Sequence, residues 1–337
     1  MFKPLLTAAV IALPCAATAD TAPTEAEQAI QIQILPGFAA LSDSAARMAN
    51  LAAETCDPTD AALQSAWGAA FDDWIQISHL RFGPTETESR AFALAYWPDS
   101  RGTTPKTLSK LFAEQDPIIT TPGGMASVSI AARGFYALEY VMFDDRFQTD
   151  AGYGCALTRA LTADVAATTS AIERDWRDSY AALMLTPGSE YSPYHTSDEV
   201  KQELFKALAT GLQFTSDTRL GRPLGTFDKP RPKRAEAHRS GRSQRHVELS
   251  IAALRELALI LSAGDDALVA DVTQAFDAAL TQARALEDPV FAGVEDPQKR
   301  LKLEILKQSL DLIREQQLAN IGKKLGVAAG FNALDGD

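Results

Sequence analysis

The chain has few of the residues that build catalytic metal centres and redox sites. Its 337 residues include only 4 histidines and 3 cysteines. The His-Glu-x-x-His pattern of a zinc-protease helix does not occur, and neither do a Gly-x-Ser-x-Gly nucleophile elbow, a phosphate-cradling glycine-rich loop or a Cys-x-x-Cys pair. These absences argue against an ordinary zinc protease, an α/β serine hydrolase, a P-loop nucleotide-binding protein and a thiol oxidoreductase.

Positive charge is scarce relative to negative charge. The chain has 32 Lys and Arg residues against 44 Asp and Glu residues, which gives a formal net charge of −12. Proteins that bind the phosphate backbone of nucleic acids carry positive patches, because Lys and Arg neutralise the phosphates. We therefore expect no nucleic-acid partner.

Strand-like alternation of apolar and polar residues is also missing, whereas apolar residues recur at spacings of three and four. This pattern predicts an all-α fold, and a hydrophobic content of 46% is enough for a large core. We predict two helical-bundle halves of about four helices each. The first half spans residues 29–190 and the second residues 191–325, between a polar leader at 20–28 and a C-terminal tail at 326–337.

The N-terminus carries an apolar run that is too short to cross a membrane. Lys3 precedes this run, which extends from Leu5 to Pro14, and Ala17-Thr18-Ala19 matches an Ala-x-Ala cleavage site. We interpret residues 1–19 as a secretory signal peptide, which predicts that the protein is exported.

One of the three cysteines lies in the predicted signal peptide, and the other two lie in the mature chain. Cys15 directly follows Pro14, which is a poor context for lipidation, so we do not expect a lipoprotein. Cleavage leaves Cys56 and Cys155, and two cysteines in an exported protein suggest one disulfide. The alternative is a pair of free, buried thiols.

The most informative stretch runs from Arg133 to Phe143. Its apolar residues recur at helical spacing, while Tyr136 and Glu139 lie three apart and would project from one helix face. A carboxylate on an otherwise apolar helix is costly to bury without a partner. Glu139 therefore requires a cation, a hydrogen-bond donor or a metal, and the simplest alternative is a Glu–Arg or Glu–Tyr contact between helices.

Within this stretch, Gly134 to Glu139 resembles the Gly-x-His-x-x-Glu signature of the imelysin family, also classed as peptidase family M75. The chain departs from the signature at one position, where Tyr136 replaces the His. The similarity runs from about Ile30 to Ala319. Other stretches that resemble the family, or its subgroup of periplasmic proteins, are Ile34–Leu41, Leu80–Pro84, Trp97-Pro98 and Arg234–Ser243.

The resemblance implies a metal site that this substitution would modify. Neutral tyrosine is a poor ligand for zinc, whereas tyrosinate can ligate ferric iron and a carboxylate is a hard oxygen ligand. We expect Tyr136, Glu139 and His79 to hold a metal, which would be ferric iron or a divalent metal ion, unless the site holds no metal. The alternative for His79 is that it only complements a helix C-terminus.

A basic segment, residues 229–246, carries seven Lys and Arg residues against a single acid, Glu236. On a helix predicted to begin near Ala235, these Arg and Ser donors suit carboxylate or phosphate oxygens. The ligand-binding residues predicted in this segment are His238, Arg239, Ser240, Arg242 and Ser243. The alternatives are a solvated basic face and pairing with acids of the first half.

Three residues of the first half complete the predicted ligand site. Arg81 lies two positions after His79 at the end of a predicted helix, and Arg133 directly precedes the imelysin-like motif. Trp97 is the third predicted ligand-binding residue. The alternative is that its ring only packs over the core and contacts no ligand.

Taken with the resemblance, these features favour a periplasmic, non-enzymatic imelysin-like binding protein associated with the acquisition of iron or another metal. The expected ligand is a metal ion or a small anionic or metal-chelate molecule, and the expected partners include membrane components of an uptake system. A metallopeptidase of the M75 type is one alternative. An anion-binding or protein-interaction module whose metal site has lapsed is another.

The signal-peptide interpretation predicts a defined mature N-terminus. Cleavage after Ala19 should produce exported protein that begins at Asp20, because the small residues of the Ala-x-Ala site fit signal peptidase. Mass spectrometry of protein from a periplasmic extract measures this directly. Retention of Met1, or a lipid-modified N-terminal Cys15, would contradict the interpretation.

Overall fold

Helices account for almost all regular structure in residues 24–327, the part of the chain that the computed structural model describes. No β-strand occurs in this range, and its one isolated antiparallel bridge joins Thr226 to Lys229. The all-α prediction is confirmed. The predicted signal peptide, together with parts of the predicted leader and tail, lies outside the described residues.

The helices are named here in chain order. The α-helices are α1 (Glu25–Gln28), α2 (Leu35–Glu54), α3 (Ala61–Ile77), α4 (Arg90–Leu94), α5 (Thr103–Glu114), α6 (Gly134–Phe143), α7 (Ala151–Asp175), α8 (Ala181–Leu185), α9 (Ser197–Gln213), α10 (Gly221–Leu224), α11 (Ser243–Ser262), α12 (Asp266–Arg284), α13 (Pro297–Leu312) and α14 (Leu318–Leu325). The π-helical segments are Ala29–Ile34, Trp176–Tyr180, Phe214–Leu220 and Ile313–Gln317. The short 3-10 segments are Gly83–Thr85, Thr87–Ser89, Pro117–Thr120, Gly124–Ser127, Ile130–Ala132, Asp145–Phe147, Pro232–Arg234 and Ala292–Glu295.

In the first half, α2 packs against α3 and α7, and α6 packs against α3 and α7. The buried residues of α2, from Phe38 to Ala52, recur at spacings of three and four and therefore lie on one face. Asp60 caps the first turn of α3 through its side chain. Trp67 then donates its indole N–H to the carbonyl of Phe135 across 3.1 Å, which joins α3 to α6.

In the second half, α11 packs against α9 and α12, and α12 packs against α13. Side-chain caps begin three of these helices, from Thr196 for α9, Asp265 for α12 and Asp296 for α13. Helix α11 also contacts α3 of the first half, and one cluster of buried apolar side chains extends through both halves. The two halves thus share a core, and the boundary at residues 190 and 191 stays a prediction.

The helix predicted to begin near Ala235 begins instead at Ser243. Residues 235–242 form a sequence of turns, which we call the basic turn, with left-handed backbone at Ala237 (φ 48°) and Gly241 (φ 72°). Left-handed residues interrupt a right-handed helix, because their carbonyls and N–H groups point away from the helical ladder. The basic turn therefore directs its side chains to different neighbours rather than along one helix face.

The predicted disulfide is present. It joins Cys56, in the connection between α2 and α3, to Cys155 on α7, with a Cα–Cα distance of 4.7 Å. The bridge spans 99 positions of the sequence, so it closes a loop that contains most of the first half.

Among residues 24–327, we find no helix that combines the length and the apolar character that membrane crossing requires.

Removing the disulfide should destabilise the protein measurably. Because a long loop loses much chain entropy when it is closed, Cys56→Ser combined with Cys155→Ser should lower the free energy of unfolding by about 2–4 kcal/mol. Urea denaturation followed by circular dichroism measures the change. A reductant should lower the unfolding free energy of the wild type by the same amount and should leave that of the double variant unchanged. Equal stability of the double variant and the oxidised wild type would contradict the prediction.

Candidate functional site

Two cavities lie on opposite sides of a wall formed by Trp97 and Tyr136, whose rings stack with centroids 6.3 Å apart. The larger cavity has a volume of about 490 Å³ and the smaller cavity a volume of about 120 Å³. Both residues line both cavities, so the imelysin-like motif on α6 lies between them.

A glycine brings α6 into this position. Gly134 has a φ of 72°, and a Cβ atom there would lie 2.1 Å from the carbonyl oxygen of Leu94. A side chain at this position is therefore excluded by both the backbone conformation and the close approach of α4. The result is a helix whose first turns are buried, and with them Tyr136 and Glu139.

Tyr136 takes part in a buried polar group that we call the Glu236 cluster, consisting of Tyr136, Arg219, Glu236 and His246. The Tyr136 hydroxyl donates to one carboxylate oxygen of Glu236, and Arg219 Nε donates to the other across 2.7 Å. His246 Nδ1 lies 3.2 Å from that second oxygen, but neither ring nitrogen makes a well-aligned hydrogen bond with a described residue.

The protonation states of this cluster follow from burial and from the Arg219 charge. Burial by itself would raise the pKa of Glu236, but the charge and hydrogen bond of Arg219 and the adjacent His246 together outweigh it and lower that pKa to about 2. Burial, together with the charge of Glu236, raises the pKa of Tyr136 well above its ordinary value. Burial lowers the pKa of His246. At neutral pH the cluster is thus an Arg–Glu ion pair flanked by a neutral phenol and a neutral imidazole.

Glu139 is buried one turn further along α6 and has different partners. Its Oε1 accepts hydrogen bonds from the backbone N–H of Ser240, at 3.0 Å, and from the Ser240 hydroxyl, at 2.9 Å. Burial raises the pKa of Glu139, although the Ser240 donors and the nearby Arg239 charge oppose this effect. The compensation that a buried carboxylate requires therefore comes from the basic turn.

His79 lines the larger cavity, but its ring is engaged elsewhere. Its Nε2 lies 3.3 Å from the side-chain oxygen of Gln33, and Gln33 in turn donates to the carbonyl of Ala253 across 2.7 Å. Burial, reinforced by the charge of Arg219, lowers the pKa of His79 to about 3, so the ring is neutral.

The three predicted metal ligands thus each have a separate protein partner. His79 contacts Gln33, Tyr136 donates to Glu236 and Glu139 accepts from Ser240. Across residues 24–327, no three His, Cys, Asp or Glu side chains come close enough together to hold a metal ion. The donor set at the motif therefore does not fit a bare ion, because the tyrosine is a protonated hydrogen-bond donor and the carboxylates already accept hydrogen bonds.

All four predicted ligand-binding arginines form ion pairs within the protein. Arg133 makes two parallel hydrogen bonds to Asp164, at 2.8 and 2.9 Å. Arg242 pairs with Asp72, and its guanidinium also donates to the carbonyl of Gly68 across 2.9 Å. Both guanidinium groups therefore join structural elements.

Arg81 and Ser243 lie at the borders of the site. Arg81 lines the larger cavity, pairs with Glu86 and lies over the ring of Phe92 at 4.8 Å. Ser243 donates its hydroxyl to the backbone carbonyl of Glu236 across 2.6 Å, which links the start of α11 to the basic turn.

His238 and Arg239 line the smaller cavity. His238 Nδ1 lies 3.2 Å from the carbonyl of Ala235. Arg239 lies 3.7 Å from the ring centroid of Tyr140 and donates to Asp144 across 3.2 Å. The smaller cavity thus receives part of the predicted ligand set, although not on a common helix face.

Sequence reasoning missed the Glu236 cluster as a site. Glu236 did have a signal, since it is the one acid of a basic segment. Arg219 and His246 had none, because they meet Glu236 only after the π-helical segment Phe214–Leu220 and the basic turn have folded against each other.

The larger cavity is mostly apolar. Its apolar lining includes Trp74, Ile75, Phe82, Phe92, Trp97, Phe214 and Leu254. Charged side chains at its wall are Arg81, Glu203, Lys206, Asp217, Arg219 and Glu236. Burial raises the pKa of Glu203, while Asp217 pairs with Lys307 and Arg314. Such a mixture of apolar walls and a few convergent polar groups is typical of sites for small organic ligands.

Comparison with known proteins gives both a family match and a fold match. The family model described as Imelysin, peptidase M75, matches residues 34–317. A crystal structure of an imelysin-like protein from Psychrobacter arcticum is similar with a TM-score of 0.75 and 17% identity, covering 91% of this chain and 96% of that one. A crystal structure from Parabacteroides distasonis, provisionally named an iron-regulated protein A precursor, is similar with a TM-score of 0.74 and 14% identity. The match covers 91% of this chain and 97% of that one.

A curated relative adds a second point of comparison. Iron-regulated protein A of Synechococcus elongatus is 25% identical over 185 residues, which are 52% of this chain and 47% of that protein. The chain therefore spans about half the length of this relative.

Glu139 and Glu236 form a matched pair for testing the electrostatics, since each side chain is only 2% exposed. Glu236→Gln should lower the free energy of unfolding at pH 7 by about 3–5 kcal/mol, because it leaves Arg219 buried without its counter-charge. Glu139→Gln should cost about 1 kcal/mol or less, because the fold already favours the neutral form and Ser240 can still donate. Urea denaturation measures both changes.

The pH dependence should separate the two variants further. The pKa of Glu236 is lower in the folded state than in the unfolded state, so its stabilisation is present above pH 4.5 and is lost as the pH falls toward 2. The loss of unfolding free energy caused by Glu236→Gln should therefore become smaller as the pH falls. The raised pKa of Glu139 works in the opposite sense, since stability is lost as the pH rises through it. Equal deficits in the two variants at every pH would contradict this account.

Proposed function

Because the chain belongs to the imelysin family, we propose that it is an exported, non-enzymatic binding protein that holds iron already complexed by a small organic chelator. The resemblance stated from the sequence is confirmed by the family match. The proposed compartment is the periplasm, and the predicted signal peptide and the Cys56–Cys155 disulfide support it. Delivery of the complex to membrane components of an uptake system is part of the proposal.

The larger cavity is the observation that carries this proposal. Its volume of about 490 Å³ lies in the range of pockets for small organic molecules and is far larger than a single ion requires. The rings of Trp97 and Phe214, whose centroids lie 5.8 Å apart, offer surfaces for an aromatic or aliphatic chelator. Arg219 and Lys206 offer donors for its carboxylate or catecholate oxygens.

The engaged state of the candidate metal ligands supports a chelate rather than a bare ion. Tyr136, Glu139 and His79 each contact a protein partner, so the iron would keep the oxygen ligands of its chelator. The same engagement favours binding over peptide hydrolysis. A general base must be free to accept a proton, whereas Glu139 is bonded by Ser240 and Glu236 by Arg219.

The connection with iron rests on the relatives. Iron-regulated protein A is the name of the curated Synechococcus elongatus protein, and the provisional name of the Parabacteroides distasonis structure contains the same words. We extend that connection to this chain as part of the proposal.

Filling the cavity tests the proposal. Thr210 lines the larger cavity on α9, and its hydroxyl bonds back to the carbonyl of Lys206. Thr210→Phe should weaken binding of a ferric complex of 2,3-dihydroxybenzoate at least about tenfold, because the ring occupies the ligand's volume. Isothermal titration calorimetry measures the affinity, with ferric citrate as a second probe and circular dichroism as the folding check.

Thr273→Phe provides the matched control. Thr273 is also a helical, partly buried threonine whose hydroxyl bonds back four residues, and it lines neither cavity. Its variant should bind as the wild type does. Failure of the wild type to bind either ferric complex, or equal binding by both threonine variants, would reject the proposal.

A further inference from the structure

We propose that the smaller cavity is a binding site for a phosphate-type oxyanion, a doubly charged tetrahedral group that enters as a free ion or as the end of a phosphate ester. This site lies across the Trp97–Tyr136 wall from the larger cavity and does not depend on the function proposed for it.

The first argument is the charge that surrounds the cavity. Four cationic side chains line it: Arg222, Lys233, Arg234 and Arg239. Arg239 pairs with Asp144, but the other three form no ion pair with any residue between 24 and 327. In a chain of net charge −12, three neighbouring cations without an ion-pair partner make this cavity locally favourable for an anion.

The acids at the cavity supply only part of that counter-charge. Asp99 accepts hydrogen bonds from the backbone N–H groups of Thr103 and Thr104, at 2.9 and 2.8 Å, and although burial opposes them, these bonds lower its pKa and keep it ionised. Glu139 accepts from Ser240, and burial raises its pKa. Two carboxylates thus line a cavity that four cationic side chains also line, so the positive side chains are in excess.

The second argument is a pair of buried polar atoms. Arg222 Nε is buried yet has no hydrogen-bond partner in the described part of the chain, although its guanidinium lies 5.7 Å from the ring centroid of Trp97. Thr104, which is almost fully buried, lines the same cavity, and its hydroxyl also lacks a well-aligned partner. A buried donor without a partner is costly, and an oxyanion in the cavity would satisfy both.

The size of the cavity selects the ligand class. At about 120 Å³ this cavity is much smaller than the other at about 490 Å³, which favours a small tetrahedral group such as phosphate or sulfate. A dianion balances more of the charge of the three unpaired cations than a single carboxylate does. The guanidinium groups of Arg222 and Arg234 can each bind two such oxygens.

Calorimetric titration with inorganic phosphate, and in parallel with sulfate and glycerol 3-phosphate, tests the site. Arg222→Met should weaken phosphate binding about ten- to hundredfold, as expected for the loss of a charge-assisted hydrogen bond. Arg234→Gln removes an exposed cavity cation and serves as a second variant in case the buried change perturbs folding. It should weaken binding severalfold, and added NaCl should weaken wild-type binding.

Arg231→Gln is the matched control, because Arg231 is an exposed cation of the same segment that does not line the cavity. It should bind phosphate within about twofold of the wild type. Binding of the inorganic ions supports a free-ion site, and binding of glycerol 3-phosphate alone supports a site for an ester. Absence of binding by all three probes at millimolar concentration, or an equal loss in Arg231→Gln and Arg234→Gln, would overturn the proposal.

Discussion

The buried ion pair between Arg219 and Glu236 is the interaction on which the site depends. Two charges removed from water are stable only when they are paired and hydrogen-bonded, and here the partners lie 17 positions apart in the second half. Arg219 lies on the π-helical segment Phe214–Leu220, while Glu236 lies in the basic turn. Tyr136 on α6 completes the carboxylate's hydrogen bonds, so the pair ties the second half to the first and positions the wall between the cavities.

The tyrosine at the motif changes what that wall can do. A histidine would present a metal ligand, whereas Tyr136 presents a phenol whose pKa is raised by burial and by the Glu236 charge. The hydroxyl therefore acts as a donor to Glu236, and its ring stacks on Trp97. A position that the family signature associates with metal ligation thus serves here as structural support and as a surface shared by two cavities.

The cavities differ because the chain distributes its residue types unevenly. Aromatic residues from α3, the α4 region and the π-helical segment meet at the larger cavity, which favours an organic ligand. The basic turn and the residues just before it concentrate cations at the smaller cavity, within a protein that is acidic overall. The two cavities therefore offer different chemical surroundings although they share Trp97 and Tyr136.

Local pattern was sufficient to predict the all-α fold, the disulfide and the family, because periodicity, cysteine count and a short motif are all readable along the chain. It was insufficient wherever the outcome depended on a distant partner. His79 contacts Gln33 of its own half instead of Glu139, and Glu139 contacts Ser240 of the other half, because the tertiary fold places those groups closer. The helix predicted to begin near Ala235 was wrong for the same reason. The backbone N–H of Ser240 donates to the Glu139 carboxylate, 101 positions away, rather than to a carbonyl of a preceding helical turn.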